Sequence, residues 1–306
     1  MNAMRIPVQS GEIETLAHES GFIRARARNL LPEDAAVLGQ NARAVLLCAF
    51  CYGDSPPGES ASAGGVDGEI IAGEIAAGEI AAFARCNYYR EAVIRLKRLA
   101  GVLRKSAAGL WPKSGFRIFC NSRFNEKQLA CRYGLGTLGR NSLVLTREAG
   151  SRFIIAGLTL PFSVDRNALP PPPDFSLCGG CPPGNAPCAR ACPTGALSGD
   201  GTLTRECCIQ WYASGNGDGI PAGVRAHWGR RLYGCVCCQD ACPYNQRPLS
   251  VAHVERGKIE RFVNLKELLA QSDAEIKARF KGTAMGLSWI SPAALRRSAR
   301  CIIGNQ

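Results

Sequence analysis

The spacing of the cysteines constrains this chain more than any other feature of its sequence. The chain has 16 cysteines, and most of them fall into two groups that each close on a Cys-Pro pair. The first group consists of Cys178, Cys181, Cys188 and Cys192. The second consists of the neighbours Cys207 and Cys208, followed by Cys235, Cys238 and Cys242. A segment with this pattern is expected to fold around whatever its thiolates bind.

Thiolates in this order are typical of two 4Fe-4S clusters. Each cluster takes four cysteines, and in the bacterial ferredoxin pattern the cysteine before proline binds the other cluster. We therefore predict that cluster 1 is bound by Cys178, Cys181, Cys188 and Cys242. Cluster 2 is then bound by Cys192, Cys235 and Cys238 with one of Cys207 and Cys208. The gap between Cys181 and Cys188 exceeds that of the ferredoxin pattern, and residues 182–185 are predicted to form an inserted loop.

Structural zinc and disulfides are the alternatives for these cysteines. Two Cys-x-x-Cys pairs also suit a zinc site, and paired cysteines suit disulfides in an oxidising compartment. Neither alternative accounts for two Cys-Pro endings with ligands in alternating order, so the pattern favours iron-sulfur clusters.

Composition indicates an ordinary globular protein. The chain has 306 residues, of which 46% are hydrophobic and 20% charged, which suits one large or two small domains. The segment Met1–Pro7 lacks the apolar core of a signal peptide. No stretch approaches the roughly 20 apolar residues of a membrane span. We therefore expect a cytoplasmic protein with no membrane partner, in a reducing compartment that suits clusters.

A net charge of +12 favours polyanionic partners. The excess is concentrated at Arg95–Arg98, Arg230–Arg231 and Arg296–Arg297. Charge alone does not distinguish a nucleic-acid contact from a solvated basic surface.

Apolar patterning predicts an α+β fold in three parts. A layered α/β domain is expected over residues 1–169, a ferredoxin-like double 4Fe-4S module over 170–250, and C-terminal helices over 251–306. Within the first part, helical spacing covers 11–30 and 88–105, and strands are expected at 42–52, 116–119, 143–145 and 153–160. Gly-Glu-Ile recurs every five residues within 53–82, which predicts a low-complexity surface loop. Prolines 170–173 are expected to form a linker, and helices are expected at 264–269 and 292–301.

Three stretches carry a resemblance to a known family. Residues 134–143 read GLGTLGRNSL, residues 147–151 read REAGS, and residues 232–245 read LYGCVCCQDACPYN. They resemble the GLGxxGxxSL, REAGS and IYGCxxCQxxCPWN stretches of epoxyqueuosine reductases, and the resemblance extends over about residues 42–303. The register with that family selects Cys208 as the isolated cluster ligand and leaves Cys237 as a spare thiol. The chain resembles a divergent and shortened member.

The resemblance implies a cobalamin-dependent oxidoreductase of queuosine biosynthesis and tRNA processing. In such an enzyme an epoxide on a modified tRNA base is reduced to an alkene, with electrons passing through two clusters to cobalt. It implies a cobalamin-binding-type N-terminal domain, tRNA as partner, an external donor such as ferredoxin or flavodoxin, and a monomer. Carried over by position, the cofactor-binding residues would be Asn121, Gly136, Gly139, Arg140, Ser142, Val144, Ile155, Gln210 and Val236.

The chain departs from the family at the proton donor. An Asp in a Val-Asp-Ser stretch has that role in the family, and Asn121 takes its position here. Because an amide cannot donate a carboxylic proton, Glu126, Tyr89 or water is a candidate replacement. Two further functions stay open: a cobalamin-dependent reductase of another small substrate, similar to reductive dehalogenases, and an electron carrier without a corrin.

Two other site types are disfavoured by the sequence. The glycines at 134, 136 and 139 lack the preceding strand and downstream acid of a nicotinamide-binding fingerprint. His18, His227 and His253 stand outside any cobalt-ligand motif. Six further cysteines are predicted to be core residues, since free cysteine is commonly buried: Cys48, Cys51, Cys86, Cys120, Cys131 and Cys301.

Overall fold

A computed structural model describes the chain over residues 8–53, 77–106, 111, 113–167, 177–181, 186–247, 249 and 254–304. The predicted proline linker at 170–173, the inserted loop at 182–185 and His253 lie outside these residues, as does most of the repeat segment. By contacts between residues the chain divides into two units. The first unit comprises Met1–Tyr52, Tyr89–Gly139 and Leu143–Gly180, and the second comprises Gly53–Tyr88, Arg140–Ser142 and Cys181–Gln306.

Helices and strands alternate along the described residues. The strands are β1 Arg24–Asn29, β2 Ala44–Cys51, β3 Ala77–Ile80, β4 Ile118–Cys120, β5 Thr137–Leu138, β6 Val144–Leu145, β7 Phe153–Leu160, β8 Arg231–Tyr233 and β9 Phe262–Asn264. The helices are α1 Ser10–Glu19, α2 Pro32–Leu38, α3 Ala82–Arg85, α4 Tyr88–Ser106, α5 Glu126–Arg132, α6 Pro187–Arg190, α7 Ile209–Ala213, α8 Ala222–Arg225, α9 Cys237–Asp240, α10 Leu265–Ala270, α11 Asp273–Arg279 and α12 Pro292–Ile303.

The first unit is built on an antiparallel sheet in the order β1-β2-β7-β4. Every residue of β2 is buried, as its continuous apolar run predicts. β2 pairs with β7 over its whole length, from Ala44 opposite Leu160 to Cys51 opposite Phe153. A short β5-β6 hairpin completes the strands of this unit. The predicted strand at 153–160 and the predicted helix at 88–105 are both confirmed as β7 and α4.

The helix predicted over residues 11–30 is wrong beyond Glu19. α1 ends there, and the Arg-Ala alternation that follows forms β1, in which Ala25 and Ala27 are buried. A period of two places the alanines on one face of a strand. Pairing with β2 therefore makes this segment a strand rather than a helix.

The edge strand β4 sets the position of the turn that follows it. Its partner β7 contains Gly157, and a Cβ there would lie 2.0 Å from Phe119 Cζ. Only glycine at this position leaves room for the buried Phe119 ring. Because Cys120 pairs with Ala156, the next residue, Asn121, leaves the sheet at the level of Ile155.

The second unit contains a smaller sheet in the order β8-β3-β9. Its central strand β3 includes Gly78-Glu79-Ile80, the last of the Gly-Glu-Ile repeats. The loop predicted over 53–82 therefore differs from the structure at this end. β3 pairs in parallel with β8 and antiparallel with β9, and these partners lie far away in the sequence.

The C-terminal helices pack against this sheet. The predicted helices at 264–269 and 292–301 are confirmed as α10 and α12. α11 was missed, although Ser272 and Glu275 form a capping box at its start. No helix among the described residues is long and apolar enough to cross a bilayer.

Candidate functional site

The predicted cluster cysteines lie in short helices and turns. Cys188 is in α6 and Cys238 is in α9, and these two helices contact each other. Cys208 caps the start of α7, and Cys242 precedes a 3-10 turn that Pro243 opens. Since proline cannot donate a backbone hydrogen bond, each Cys-Pro pair ends a helical segment beside its thiol. Cys178 belongs to the first unit, whereas the other seven predicted ligands belong to the second.

Several of these thiols converge within the second unit. Burial, followed by the charges of Cys208, Cys192, Cys188 and Cys237, raises the pKa of Cys238 to about 12. The structure therefore places two further predicted ligands of cluster 2 and one of cluster 1 within electrostatic range of Cys238. The backbone N–H of Ala196 donates to Cys192 Sγ at 3.2 Å. A donor of this kind stabilises a thiolate, as cluster binding requires.

The donor set of the predicted ligands consists of thiolates alone, as a 4Fe-4S cluster requires. Among the described residues, no three His, Cys, Asp or Glu side chains are grouped closely enough to hold a single metal ion. In a 4Fe-4S cluster each thiolate binds a different iron, so its ligands stand farther apart than those of one ion. Four cysteines per cluster supply the four thiolates that its irons need.

Two side chains support the loop that carries Cys235. Gln210 Oε1 accepts a hydrogen bond from the backbone N–H of Cys235 at 2.9 Å, while Gln210 Nε2 donates to Ser214 Oγ at 2.8 Å. Arg231 Nη2 donates to Cys237 Sγ at 2.9 Å. Sequence reasoning placed Gln210 among the cofactor-binding residues and missed Arg231. Its position four residues before a ligand cysteine, in Arg-Leu-Tyr-Gly-Cys, is the signal that could have found it.

Cys237 differs from the neighbouring thiols. A hydrogen bond with the Cys235 thiol lowers its pKa to about 6, with Arg231 adding to the effect and burial opposing it. If Cys235 binds iron, its proton is lost and Arg231 remains as the donor to Cys237. That Cys237 is a spare thiol stays a prediction.

The Asn121 turn is the second feature that sequence reasoning singled out. Asn121 has a backbone φ of +49°, in the left-handed region that asparagine tolerates better than most residues. The Glu126 carboxylate accepts hydrogen bonds from the backbone N–H groups of Asn121 at 2.9 Å and Ser122 at 2.8 Å. Burial raises the pKa of Glu126, against the lowering effect of these bonds. Glu126 thus holds the turn through both carboxylate oxygens.

Aromatic packing holds the same turn from the other side. The ring of Phe124 packs edge-on against Phe119 with ring centroids 5.7 Å apart. The guanidinium of Arg117 lies over the Phe124 ring at 5.0 Å. Tyr89, the other candidate acid, lies half-buried at the start of α4.

The remaining predicted cofactor residues have local roles in the structure. Gly136 permits close packing of the β5-β6 hairpin, since a Cβ there would meet Leu145 O at 2.4 Å and Val144 Cγ1 at 2.7 Å. The backbone N–H of Gly139 donates to Leu143 O at 2.7 Å. Ile155 is a half-buried residue of β7, and Val236 caps the start of α9.

Arg140 and Ser142 belong to the second unit. Arg140 Nη1 donates to the backbone oxygen of Cys181 at 3.2 Å, which places this predicted cofactor residue beside a predicted ligand of cluster 1. Ser142 has a φ of +62°, the second non-glycine residue in the left-handed region among those described. Backbone of this kind costs of order 1–3 kcal/mol and is concentrated at functional sites.

Several arginines of the predicted basic segments have internal partners. Arg95 pairs with Glu91 at 2.9 Å, and Arg296 pairs with Asp273. Arg297 donates to three backbone oxygens, those of Tyr212, Asn216 and Gly217. The sequence-based reading of these segments as free basic surface therefore overstates the charge available to a polyanion.

Most of the other cysteines are core residues, as predicted. Cys48, Cys51, Cys86 and Cys301 are buried, while Cys120 and Cys131 are half-buried. His18 shares a hydrogen bond with the backbone oxygen of Phe22 at 2.9 Å, and His227 is exposed.

Sequence comparison supports the cluster module. Residues 177–245 match the 4Fe-4S double cluster binding domain. Over 194 residues, the chain is 34% identical to epoxyqueuosine reductase from Pseudomonas aeruginosa, covering 62% of this chain and 51% of that protein. The chain spans about half the length of the curated relatives it matches. The predicted double-cluster module is confirmed, while its individual ligands stay predictions.

Structural comparison gives the same answer for the fold. Epoxyqueuosine reductase from Streptococcus thermophilus matches with a TM-score of 0.73 at 21% identity, covering 96% of this chain and 80% of that one. A crystal structure of epoxyqueuosine reductase with an epoxyqueuosine-modified tRNA-Tyr stem loop matches with a TM-score of 0.71 at 23% identity and the same coverage. The predicted α+β fold and the predicted resemblance to epoxyqueuosine reductases are confirmed.

Proposed function

We propose that this chain is a cobalamin-dependent iron-sulfur oxidoreductase that reduces an epoxide to an alkene on a modified tRNA base, as the name of its relatives implies. The match to the double-cluster domain and the similarity to epoxyqueuosine reductases carry this proposal. The net reaction takes two electrons and two protons, converts the epoxide to a carbon-carbon double bond, and releases its oxygen as water. Electrons come from an external one-electron donor of the ferredoxin or flavodoxin type.

The ligand sets we propose follow the ferredoxin order. Cluster 1 is held by Cys178, Cys181, Cys188 and Cys242, and cluster 2 by Cys192, Cys208, Cys235 and Cys238. Cys208 and Cys192 both lie close enough to Cys238 to raise its pKa, which supports the second set. The division of the chain at residues 169 and 250, the monomeric state and the cytoplasmic location belong to the same proposal.

The residues proposed to hold cobalamin are those carried over from the family. When bound, cobalamin supplies a cobalt centre that accepts single electrons and reduces the substrate carbon. Two of the proposed residues, Asn121 and Ser142, have left-handed backbone, which supports a functional role for both turns. The side-chain amide of Asn121 can donate a hydrogen bond to an oxygen but cannot supply its proton.

The source of that proton differs from the family's carboxylic acid. Both oxygens of Glu126 are engaged as acceptors of backbone N–H groups, which gives this carboxyl a role in holding the Asn121 turn even though burial raises its pKa. We therefore propose that water delivers the proton, oriented by the Asn121 amide. The departing oxygen then leaves as hydroxide that is neutralised by solvent, which makes the reaction slower than one assisted by a carboxylic acid.

Transfer RNA is the proposed substrate carrier. The net charge of +12 supports binding to a polyanion, although several arginines are already paired internally. Exposed cations such as Lys97 and Arg98 on α4 are available for phosphate contacts. Binding of this kind should weaken steeply as salt is added.

Anaerobic purification with added cobalamin tests the proposal. Iron, sulfide and cobalt analysis should give two clusters and one corrin per chain, and the chain should convert an epoxyqueuosine-modified stem loop to its queuosine form. Two clusters without bound corrin would identify an electron carrier instead. Zinc in place of iron would overturn the proposal at its first step.

Asn121 favours a second candidate function. A cobalamin-dependent reductase whose substrate loses a stable anion, such as a halide, needs no carboxylic acid at this position. Bound corrin together with turnover of an organohalide and no turnover of the modified stem loop would support this alternative.

A further inference from the structure

Arg231 stands beside the proposed cluster 2 as a cation held in a defined position. It opens β8, and Cys235 follows this strand after one glycine. Its side chain is half-buried, and its guanidinium is close enough to Cys235 to interact with it electrostatically. Nη2 donates to Cys237 Sγ at 2.9 Å. The charge therefore lies in contact with Cys237 Sγ and within electrostatic range of the Cys235 thiol.

The segment before β8 fixes this guanidinium. Arg231 Nη1 donates to the backbone oxygen of Trp228 at 2.8 Å and to that of His227 at 3.3 Å. In return, Trp228 Nε1 donates to the backbone oxygen of Arg231 at 2.7 Å, and the Trp228 side chain is fully buried. The position of the cation is thus determined by a rigid anchor rather than by solvent.

Gly229 provides the space that the guanidinium occupies. A Cβ at this position would lie 2.8 Å from Arg231 Nη1, and the residue has a φ of +60°. Both the backbone conformation and the close approach suit glycine. The loop between Trp228 and Arg231 is therefore shaped around the arginine side chain.

A fixed cation next to a cluster changes its reduction potential. Each electron added to a 4Fe-4S cluster adds one negative charge, and a nearby positive charge stabilises the reduced form. Net charge, hydrogen bonds to sulfur and solvent exposure all set cluster potentials. Partial burial strengthens the effect because the charge is less screened than in water.

We propose that Arg231 raises the reduction potential of the cluster held by Cys192, Cys208, Cys235 and Cys238, and so makes it the site where an electron from the external donor is retained. This inference rests on the proposed two-cluster function. Arg231 acts through the charge and hydrogen bond it presents to the Cys235 loop, and it is a positioning residue rather than a catalytic one.

Redox titration of the anaerobic protein, followed by EPR, tests the inference. In Arg231→Met, one cluster should become harder to reduce by tenfold or more, a shift of about 59 mV for one electron. The other cluster should keep its potential. Arg231→Lys retains the positive charge but loses the hydrogen bonds of the guanidinium, and it should give a smaller shift in the potential of the same cluster.

Arg230→Met is the matched control. It removes the same charge from the adjacent residue, whose guanidinium lies over the Phe262 ring at 5.2 Å. Both potentials should stay at their wild-type values in this variant. An Arg231→Met shift no larger than that of Arg230→Met would overturn the inference.

A further variant covers the case in which Arg231→Met does not retain iron. Gly229→Ala displaces the guanidinium while keeping every charge, and it should lower the potential of the same cluster. Unchanged potentials in both Gly229→Ala and Arg231→Lys would then overturn the inference. Absence of clusters from the wild-type protein would instead contradict the proposed function, so the two failures are distinguishable.

Discussion

The sheet of the first unit and the cysteine module of the second are stabilised in different ways. In the sheet, β2 and β7 pair over eight residues each and bury nearly all their side chains. In the module, α6, α8 and α9 each have four residues and α7 has five. Helices of this length are not stable alone. The comparison teaches that the sheet depends on long strands packed through apolar side chains, whereas the module adds binding by its thiolates to the apolar packing of α7 and α8.

The two regions are also expected to respond differently to amino-acid substitutions. A buried strand tolerates few changes of volume but needs no ligand. A cluster module tolerates changes between its cysteines but loses its organisation when a ligand is removed. The Asn121 turn follows a strand of the rigid sheet, which fixes its position. The residue at this position nevertheless differs from the family's acid.

The largest effect is expected from removing a cluster ligand. Cys238→Ala should lose about half of the bound iron and all epoxide reduction, because a cluster needs four thiolates. Iron and sulfide analysis after anaerobic purification measures it. Cys237→Ala, one residue away, should keep all its iron. Equal iron loss in the two variants would show that the ligand assignment in this loop is wrong.

The second-largest effect is expected from restoring a carboxylic acid at the turn that the sheet positions. Asn121→Asp should accelerate reduction of an epoxyqueuosine stem loop about 10²-fold, since general acids contribute typically 10²–10⁴-fold. Single-turnover kinetics measure the change. Asn125→Asp adds the same charge in the same turn and still accepts the N–H of Gln128, so its rate should stay at the wild-type value. No acceleration in Asn121→Asp would favour a different substrate.

Overpacking the sheet should destabilise the first unit and leave the clusters intact. In Gly157→Ala the new methyl group meets Phe119, and the expected cost is about 1–3 kcal/mol of unfolding free energy. Chemical denaturation measures this cost, and iron content reports on the module. Gly101→Ala on α4 has open space around it and should stabilise the helix by up to about 1 kcal/mol. Iron loss in Gly157→Ala would contradict the separation of the two regions.

The smallest effect is expected at the carboxylate that holds the turn. Glu126→Gln removes one of the two acceptors for the N–H groups of Asn121 and Ser122. These two amides should exchange with solvent about tenfold faster, since a hydrogen bond to a charged group contributes about 1.5–3 kcal/mol. Hydrogen exchange measures it, with the exposed Glu19→Gln as control. Unchanged exchange would show that aromatic packing alone holds the turn.

Sequence predicted the parts of the fold whose signal is local. β2, β7, α4 and α12 each have an apolar run or helical period long enough to be decisive. β1 was mistaken for helix because Arg-Ala alternation has few large apolar residues. β3 was placed in a loop because its Gly-Glu-Ile sequence forms a strand only between β8 and β9. Such pairing depends on distant residues, which a single sequence does not reveal.

The candidate site also contains features that the local sequence predicts and features that depend on the fold. Cysteine spacing was sufficient to predict the double-cluster module, because ligand number and order follow from the chemistry of iron. Glu126 was singled out as a possible acid through its proximity to Asn121, and the structure gives it the role of acceptor. Arg231 was grouped with surface charge, since its contact with Cys237 depends on the anchor at Trp228.

The central position of β3 has a consequence for biogenesis. The ribosome completes β3 roughly 150 residues before β8, a delay on the order of ten seconds at ordinary rates of synthesis. During that time both edges of β3 lack their later partners, so the nascent strand is open to other pairing. Contacts between segments this distant also form slowly. We therefore expect the second unit to assemble, and its clusters to be inserted, only after β9 has been synthesised.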